Sequence, residues 1–190
     1  IKQGVIMKLH EQAFVTSKYT NVWINVEHSL LCIETTSQNV ADDGISMLIR
    51  DLEFSGRPVI TSIKPVAFMR QIISDVFVGD FSLGESCVLV DANQGSINFK
   101  NERLDTHEVT NYMQFGKKPK KLELSFDSGR AVFTIDENLK ISKIVLPDIT
   151  NERGEFETDE DFFDSTFTIR SDQCVEIINA LLSTLGEQQL

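Results

Sequence analysis

The chain has 190 residues, a formal net charge of −11 and a calculated isoelectric point near 4.7. So acidic a chain does not coat nucleic acid through its overall charge, because phosphate binding needs a basic surface, although a local basic face remains compatible with these totals. With no apolar run near the roughly 18–20 residues of a membrane span and no recognisable leader, we expect an intracellular protein, cytoplasmic or nuclear.

The first third of the chain is rich in β-forming residues. Residues 4–10 have strand character. In residues 21–27, Val22, Ile24 and Val26 alternate with polar residues and Trp23, which predicts a strand that buries the valine and isoleucine side. The following LLCIETT is predicted to pair with that strand as a hairpin. The polar SQNVADDG after it is typical of a loop.

Residues 45–54, ISMLIRDLEF, fit two interpretations. Alternation of apolar residues favours a strand, whereas the spacing of Leu48 and Leu52 also suits a helix, and periodicity alone does not separate the two in so short a run. We favour the strand, because GRP follows directly and the neighbouring segments are β-rich.

A helix followed by a hairpin is predicted from residue 65 to residue 101. Pro65 suits the first position of a helix, and apolar residues recur at helical spacing up to Val76. The stretch FSLGESCVLVDANQGSINFKN then alternates on both sides of a turn at Asn93–Gly95. The polar residues 101–121, with GKKPKK, are predicted to be an exposed connection or a domain boundary.

The last third is predicted to contain a hairpin, a further strand, an acidic loop and a terminal helix. LELSFDSGRAVFTID has the strongest hairpin pattern in the chain, and KISKIVL is the next strand. Residues 149–165 are strongly acidic and predict a solvated loop. STFTI is then predicted as a strand, and Ser171 as the cap of a helix that ends at Gly186.

These elements predict an α+β fold: mainly antiparallel β-sheet built from hairpins, with two amphipathic helices packed on the sheet. Two halves are expected, a β-rich α+β half over residues 1–105 and, over residues 106–190, a hairpin, acidic loop and terminal helix. One continuous domain is the alternative.

No residue pattern indicates catalysis, so we expect a protein that is not an enzyme. His10, His28 and His107 are isolated in polar or strand-end positions, and no phosphate-binding glycine motif occurs. The three cysteines are widely spaced and are expected to be small buried apolar residues of a reduced compartment. We expect no cofactor and no metal.

Two clusters are candidate binding sites. The acidic loop brings carboxylates next to a pair of phenylalanines, which predicts contact with a protein partner, a basic one, through Glu155, Glu157, Asp159, Glu160, Asp161, Phe162 and Phe163. A basic cluster is the alternative site, with phosphate contacts expected from Lys117, Lys118, Lys120 and Lys121.

Two architectural resemblances bear on function. The helix-then-hairpin run from Ser62 to Lys100 resembles the building unit of DNA sliding clamps, which implies a DNA replication accessory protein. In that family the helices offer Lys and Arg to DNA, whereas the first helix here offers Arg70 alone and residues 171–190 offer none. The terminal STFTIRSDQCVEIINALLSTL is similar to the last strand and helix of pleckstrin-homology-like domains, which implies a protein-binding module.

We therefore expect a non-enzymatic macromolecular interaction protein that binds a protein partner through a sheet surface or edge. Self-association through an exposed edge is compatible with this. Nucleic acid is the less favoured partner, and no membrane is expected.

Overall fold

The computed structural model describes residues 19–53, 55–105, 107–147 and 158–186. The chain divides into two compact units, Ile1–Arg57 and Pro58–Leu190. The boundary predicted between residues 105 and 106 falls inside the second unit, where the chain passes from a strand to a helix. The strand predicted for residues 4–10 lies outside the described residues.

The first unit contains an antiparallel hairpin and a helix. Strand β1 is Val22–Asn25, strand β2 is Leu30–Ile33, and Val22 pairs with Ile33, so the predicted hairpin is confirmed. Its predicted face is wrong: Val22, Ile24 and Val26 are exposed, while Trp23 is half-buried. The alternation was correct, but the large indole, rather than the smaller aliphatic side chains, takes the sheltered side.

Helix α1 is Gln38–Leu52, so the predictions of a loop at 37–44 and a strand at 45–54 are wrong. Its half-buried residues recur at helical spacing: Val40, Ala41, Gly44, Ile45 and Leu48. Met47 and Ile49, whose alternation favoured a strand, are exposed. In this segment the apolar spacing of three and four residues, typical of a helix, indicated the structure correctly, and the alternation typical of a strand did not.

The second unit is built on a six-stranded antiparallel sheet in the order β3-β4-β6-β7-β8, with β5 also paired to β4. The strands are β3 Phe77–Val78, β4 Phe81–Val90, β5 Ser96–Phe99, β6 Lys118–Phe126, β7 Ala131–Asp136 and β8 Ile141–Val145. Both predicted hairpins and the strand after them are confirmed.

Three helices accompany this sheet: α2 Pro65–Asp75, α3 His107–Gln114 and α4 Asp159–Leu185. The described residues thus contain four helices, and the α+β class with mostly antiparallel sheet is confirmed. Helix α2 begins at Pro65 as predicted. Helix α3 was not anticipated, since its segment is polar and short.

Helix α4 begins twelve residues earlier than the predicted cap at Ser171, and the strand predicted at residues 165–169 is wrong. Its first turn is strongly capped: the hydroxyl of Thr158 accepts the Asp161 N–H at 3.1 Å and donates to the Asp161 carboxylate at 2.7 Å. Three acidic residues in this turn also favour the positive end of the helix dipole. Ser171 instead donates to the Thr168 carbonyl within the helix.

The core of the second unit lies between one face of the sheet and the helices. Phe81 at the start of β4 is its centre, with no exposed surface. Its ring lies edge-on to Phe68 of α2 at a centroid distance of 5.9 Å, edge-on to Phe133 of β7 at 6.1 Å, and tilted against Phe126 of β6 at 5.3 Å. Side chains from α3 and α4 belong to the same cluster.

We predict that Phe81→Ala lowers the free energy of unfolding by about 3–5 kcal/mol, because it opens a cavity and removes three ring contacts. Phe115→Ala is the matched control: Phe115 is 86% exposed, so its removal should cost about 0.5 kcal/mol or less. Urea unfolding of both variants measures the difference. Equal effects of the two substitutions would contradict this account of the core.

Candidate nucleic-acid interface

The outer face of the sheet, the face opposite the core, is polar. Successive residues of a strand point to opposite faces, so the neighbours of core residues in each ladder lie on this side. They pair across strands: Ser82 with Ser125, Thr134 with Ser142, and Lys121 with both Val88 and Asp136. The outer face comprises Ser82, Val88, Val90, Ser96, Asn98, Lys118, Lys121, Glu123, Ser125, Val132, Thr134, Asp136, Ser142 and Val145.

The lysine cluster lies at one end of this face, on a central strand and not on the exposed connection that the sequence predicted. Strand β6 starts at Lys118, and Pro119 is buried opposite Leu89 of β4. The ladder shifts register between the pairs Val88–Lys121 and Leu89–Pro119, so Lys120 is an extra residue at a bulge. The loop was predicted because Gly116 and Pro119 resemble turn residues, yet Pro119 sits at the start of a strand, where proline is tolerated.

Lys117 is engaged in the fold. Its ammonium donates to the Asp91 carboxylate at 2.9 Å and to the Gly95 carbonyl at 3.1 Å, and its side chain is only 17% exposed. The other oxygen of Asp91 accepts the N–H groups of Asn93 and Gly95, each at 2.9 Å. We call this arrangement of Lys117, Asp91 and the β4–β5 turn the clasp.

The clasp holds the pKa of the Asp91 carboxyl below its ordinary value. The largest cause is the hydrogen bond from Lys117, followed by the backbone N–H of Gly95. Both stabilise the ionised carboxylate more than the neutral acid.

The other three lysines have no carboxylate within ion-pair distance among the described residues. Asp136, the cross-strand neighbour of Lys121, is committed elsewhere, because its carboxylate accepts the N–H groups of Asn138 at 2.9 Å and Lys140 at 3.0 Å in the next turn. The ammonium groups of Lys118 and Lys121, whose side chains are exposed, are therefore available to an anion outside the chain, and Lys120 lies beside them, half-buried at the bulge.

Glu123, the carboxylate nearest to these lysines along β6, is also committed to the fold. Strand β4 bulges at Gly84–Ser86, which lie between the pairs Leu83–Leu124 and Cys87–Leu122. The Glu123 carboxylate accepts the Glu85 N–H there at 2.9 Å. A side chain at Gly84 would approach the Glu123 carbonyl to 2.8 Å, so glycine is required for this close approach.

The acidic and aromatic cluster is helical where it is described. Asp159, Glu160 and Asp161 form the first turn of α4, and Glu155 and Glu157 lie outside the described residues. Phe163 is exposed and stacks on Phe167, which follows it by one helical turn, with ring centroids 6.2 Å apart; Phe162 is half-buried. Three of these seven predicted site residues thus serve to start a helix.

The described residues show no arrangement typical of metal catalysis. In residues 19–53, 55–105, 107–147 and 158–186, no group of three or more His, Cys, Asp or Glu side chains is placed to hold a metal ion. Burial raises the pKa of the Cys87 thiol to about 12, as expected for a thiol in an apolar core. No helix formed by these residues is both long and apolar enough to cross a membrane.

Comparison with known proteins identifies the family. The family model described as "Putative exonuclease, RdgC" matches residues 1–188. The chain therefore belongs to the RdgC family.

Its relatives are bacterial proteins named "Recombination-associated protein RdgC". The one from Burkholderia cenocepacia is 25% identical over 194 residues, which cover 98% of this chain and 62% of that protein. The one from Psychromonas ingrahamii is 26% identical over 204 residues, covering 100% and 65%. The one from Mannheimia succiniciproducens is 23% identical over 201 residues, covering 100% and 64%. The chain thus spans a little under two thirds of the length of these relatives.

This membership corrects the predicted function and partner. A protein-binding module with a basic protein partner is wrong, and so is the pleckstrin-homology-like alternative, because the family is described by exonuclease activity and by recombination, which are processes of DNA. Placing nucleic acid second was wrong as well. Of the interpretations made from the sequence, the sliding-clamp alternative is the one that concerns DNA, as the family description and the relatives' names do. The family description and the relatives' names differ on enzymatic activity, so the expectation of a protein that is not an enzyme stays a prediction.

We predict that the clasp opens only in strong acid. The lowered pKa of Asp91 means that its contribution to stability is present above the ordinary carboxyl pKa of about 3.8 and is lost as pH falls through the lower folded value. The amide NMR shifts of Asn93 and Gly95 should be constant from pH 7 to pH 4 and change below. A transition above pH 4 would contradict the ion pair, and Asp91→Asn should abolish the transition.

Proposed function

We propose that this chain is a DNA-binding, recombination-associated protein that contacts the sugar–phosphate backbone through the lysine end of the outer face. The proposal is supported by family membership together with one observation: Lys118, Lys120 and Lys121 sit on a central strand without carboxylate partners among the described residues. The same considerations favour an intracellular role.

The chemistry of the face suits phosphate contact. Lysine ammonium groups neutralise phosphates and release counterions, and serine, threonine and asparagine side chains donate hydrogen bonds to phosphate oxygens. Both kinds of group are on the outer face, with Ser96 and Asn98 of β5 in the same rows as Lys118 and Lys121. The acidity of the whole chain is compatible with this, because among the described residues Asp91, Asp136 and Glu123 accept hydrogen bonds within the fold and make no ion pair with Lys118, Lys120 or Lys121.

We predict that Lys118→Met, Lys120→Met and Lys121→Met each weaken DNA binding and each reduce the slope of log affinity against log salt by about 0.9, the value for one lost phosphate contact on duplex DNA. Fluorescence anisotropy with a labelled duplex at several salt concentrations measures both quantities. Lys64→Met is the matched control, since Lys64 is exposed and precedes α2 on the helix side; it should leave the slope unchanged. Slopes that do not respond to the three β6 substitutions would contradict the proposal.

We propose further that binding does not include DNA cleavage by this chain. The support is the lack of a metal-binding group of side chains among the described residues, since nucleases that use two metal ions hold them with such groups. End-labelled linear duplex incubated with the protein and Mg²⁺ or Mn²⁺ should keep its full length. Progressive shortening, lost on addition of a chelator, would show that the exonuclease description applies to this chain.

A further inference from the structure

We propose that Lys117, paired with Asp91, positions the phosphate-binding lysines of β6 and is not itself a phosphate contact. This inference rests on the proposed function of β6. It divides four adjacent lysines, which look equivalent in the sequence, into one positioning residue and three binding residues.

The start of β6 needs a support that its backbone does not fully supply. Pro119 has no N–H and cannot donate to the ladder with β4. Lys120 is the extra residue of the bulge, so regular pairing with β4 resumes only at Lys121. Two backbone hydrogen bonds to elements other than β4 hold the chain here. The Lys117 N–H donates to the Tyr112 carbonyl of α3 at 3.1 Å, and the Glu137 N–H, just after β7, donates to the Lys120 carbonyl at 3.0 Å.

The clasp supplies that support from the β4 side. Through its bonds to Asp91 and Gly95, the Lys117 ammonium ties β6 to the turn that joins β4 and β5. Val90, next to Asp91, is the register partner of Lys118, and Ser96, next to Gly95, pairs with Val90 on the other side of β4. The clasp therefore fixes the end of β4 that pairs with Lys118.

The same contacts make Lys117 a poor phosphate-binding residue. Its side chain is mostly covered and its ammonium already has two acceptors. The third ammonium N–H is left over, but the paired Asp91 carboxylate offsets the charge of Lys117 and repels an approaching phosphate. Lys118 and Lys121 are exposed and require no such exchange.

The substitution Asp91→Asn should distinguish a positioning role of the clasp from a purely electrostatic effect on DNA affinity. Removing a negative charge beside a cluster of lysines, and releasing Lys117, should strengthen DNA binding if only charge mattered. If the clasp positions β6, the same substitution should weaken binding several-fold. Lys117→Met should weaken it similarly while leaving the salt slope at the wild-type value, unlike Lys118→Met.

The experiment is duplex DNA binding by fluorescence anisotropy over a range of salt concentrations, with wild type, Asp91→Asn, Lys117→Met, Lys117→Arg, Lys118→Met and Lys121→Met. The conservative Lys117→Arg keeps the charge and the donors to Asp91 and Gly95, so it should retain much of the affinity that Lys117→Met loses. Thermal unfolding confirms that each variant is folded; Asp91→Asn and Lys117→Met test the clasp independently.

Tighter binding by Asp91→Asn, or a salt slope reduced by about 0.9 in Lys117→Met, would overturn the positioning role while leaving the proposed function intact. Wild-type protein that does not bind DNA, or Lys118→Met and Lys121→Met variants with unchanged affinity and slope, would instead overturn the proposed function and this inference with it.

Discussion

The packing of Phe81 is the constraint on which the second unit depends. Its ring touches aromatic side chains of α2, β6 and β7, so one buried residue at the start of β4 joins a helix to three strands. Because all of these rings lie on one side of the sheet, the alternate residues of the same strands are directed to the other side. The aromatic core thus decides which residues of these strands form the outer face.

The outer face is also shaped by how its acidic residues are used. Asp91, Glu123 and Asp136 each accept backbone N–H groups at a turn or bulge, and Asp91 binds Lys117 as well. Among the described residues, carboxylates that accept backbone N–H groups in this way make no ion pair with the remaining lysines of β6. A chain with a net charge of −11 can therefore present a local cationic site, and total charge is a poor guide to what one face binds.

Much of the second unit was predictable, because its hairpins combine strict alternation with recognisable turns and α2 begins with Pro65. Helix α1 and the first half of α4 were not, since STFTI has β propensity and the cap that decides the matter, Thr158, precedes an acidic stretch typical of a loop. The lysines were found as a cluster, but GKKPKK resembles a connection. The pairing of Lys117 with Asp91, 26 residues earlier in the chain, depends on strand register that the sequence does not state.

The most direct test of the account is lysine acetylation followed by mass spectrometry, with and without duplex DNA. We predict that DNA protects Lys118, Lys120 and Lys121 from acetylation, that Lys64 reacts equally in both conditions, and that Lys117 reacts slowly in both. Protection of Lys64, with the lysines of β6 labelled to the same extent in the presence and absence of DNA, would contradict the assignment of the outer face as the DNA-binding surface.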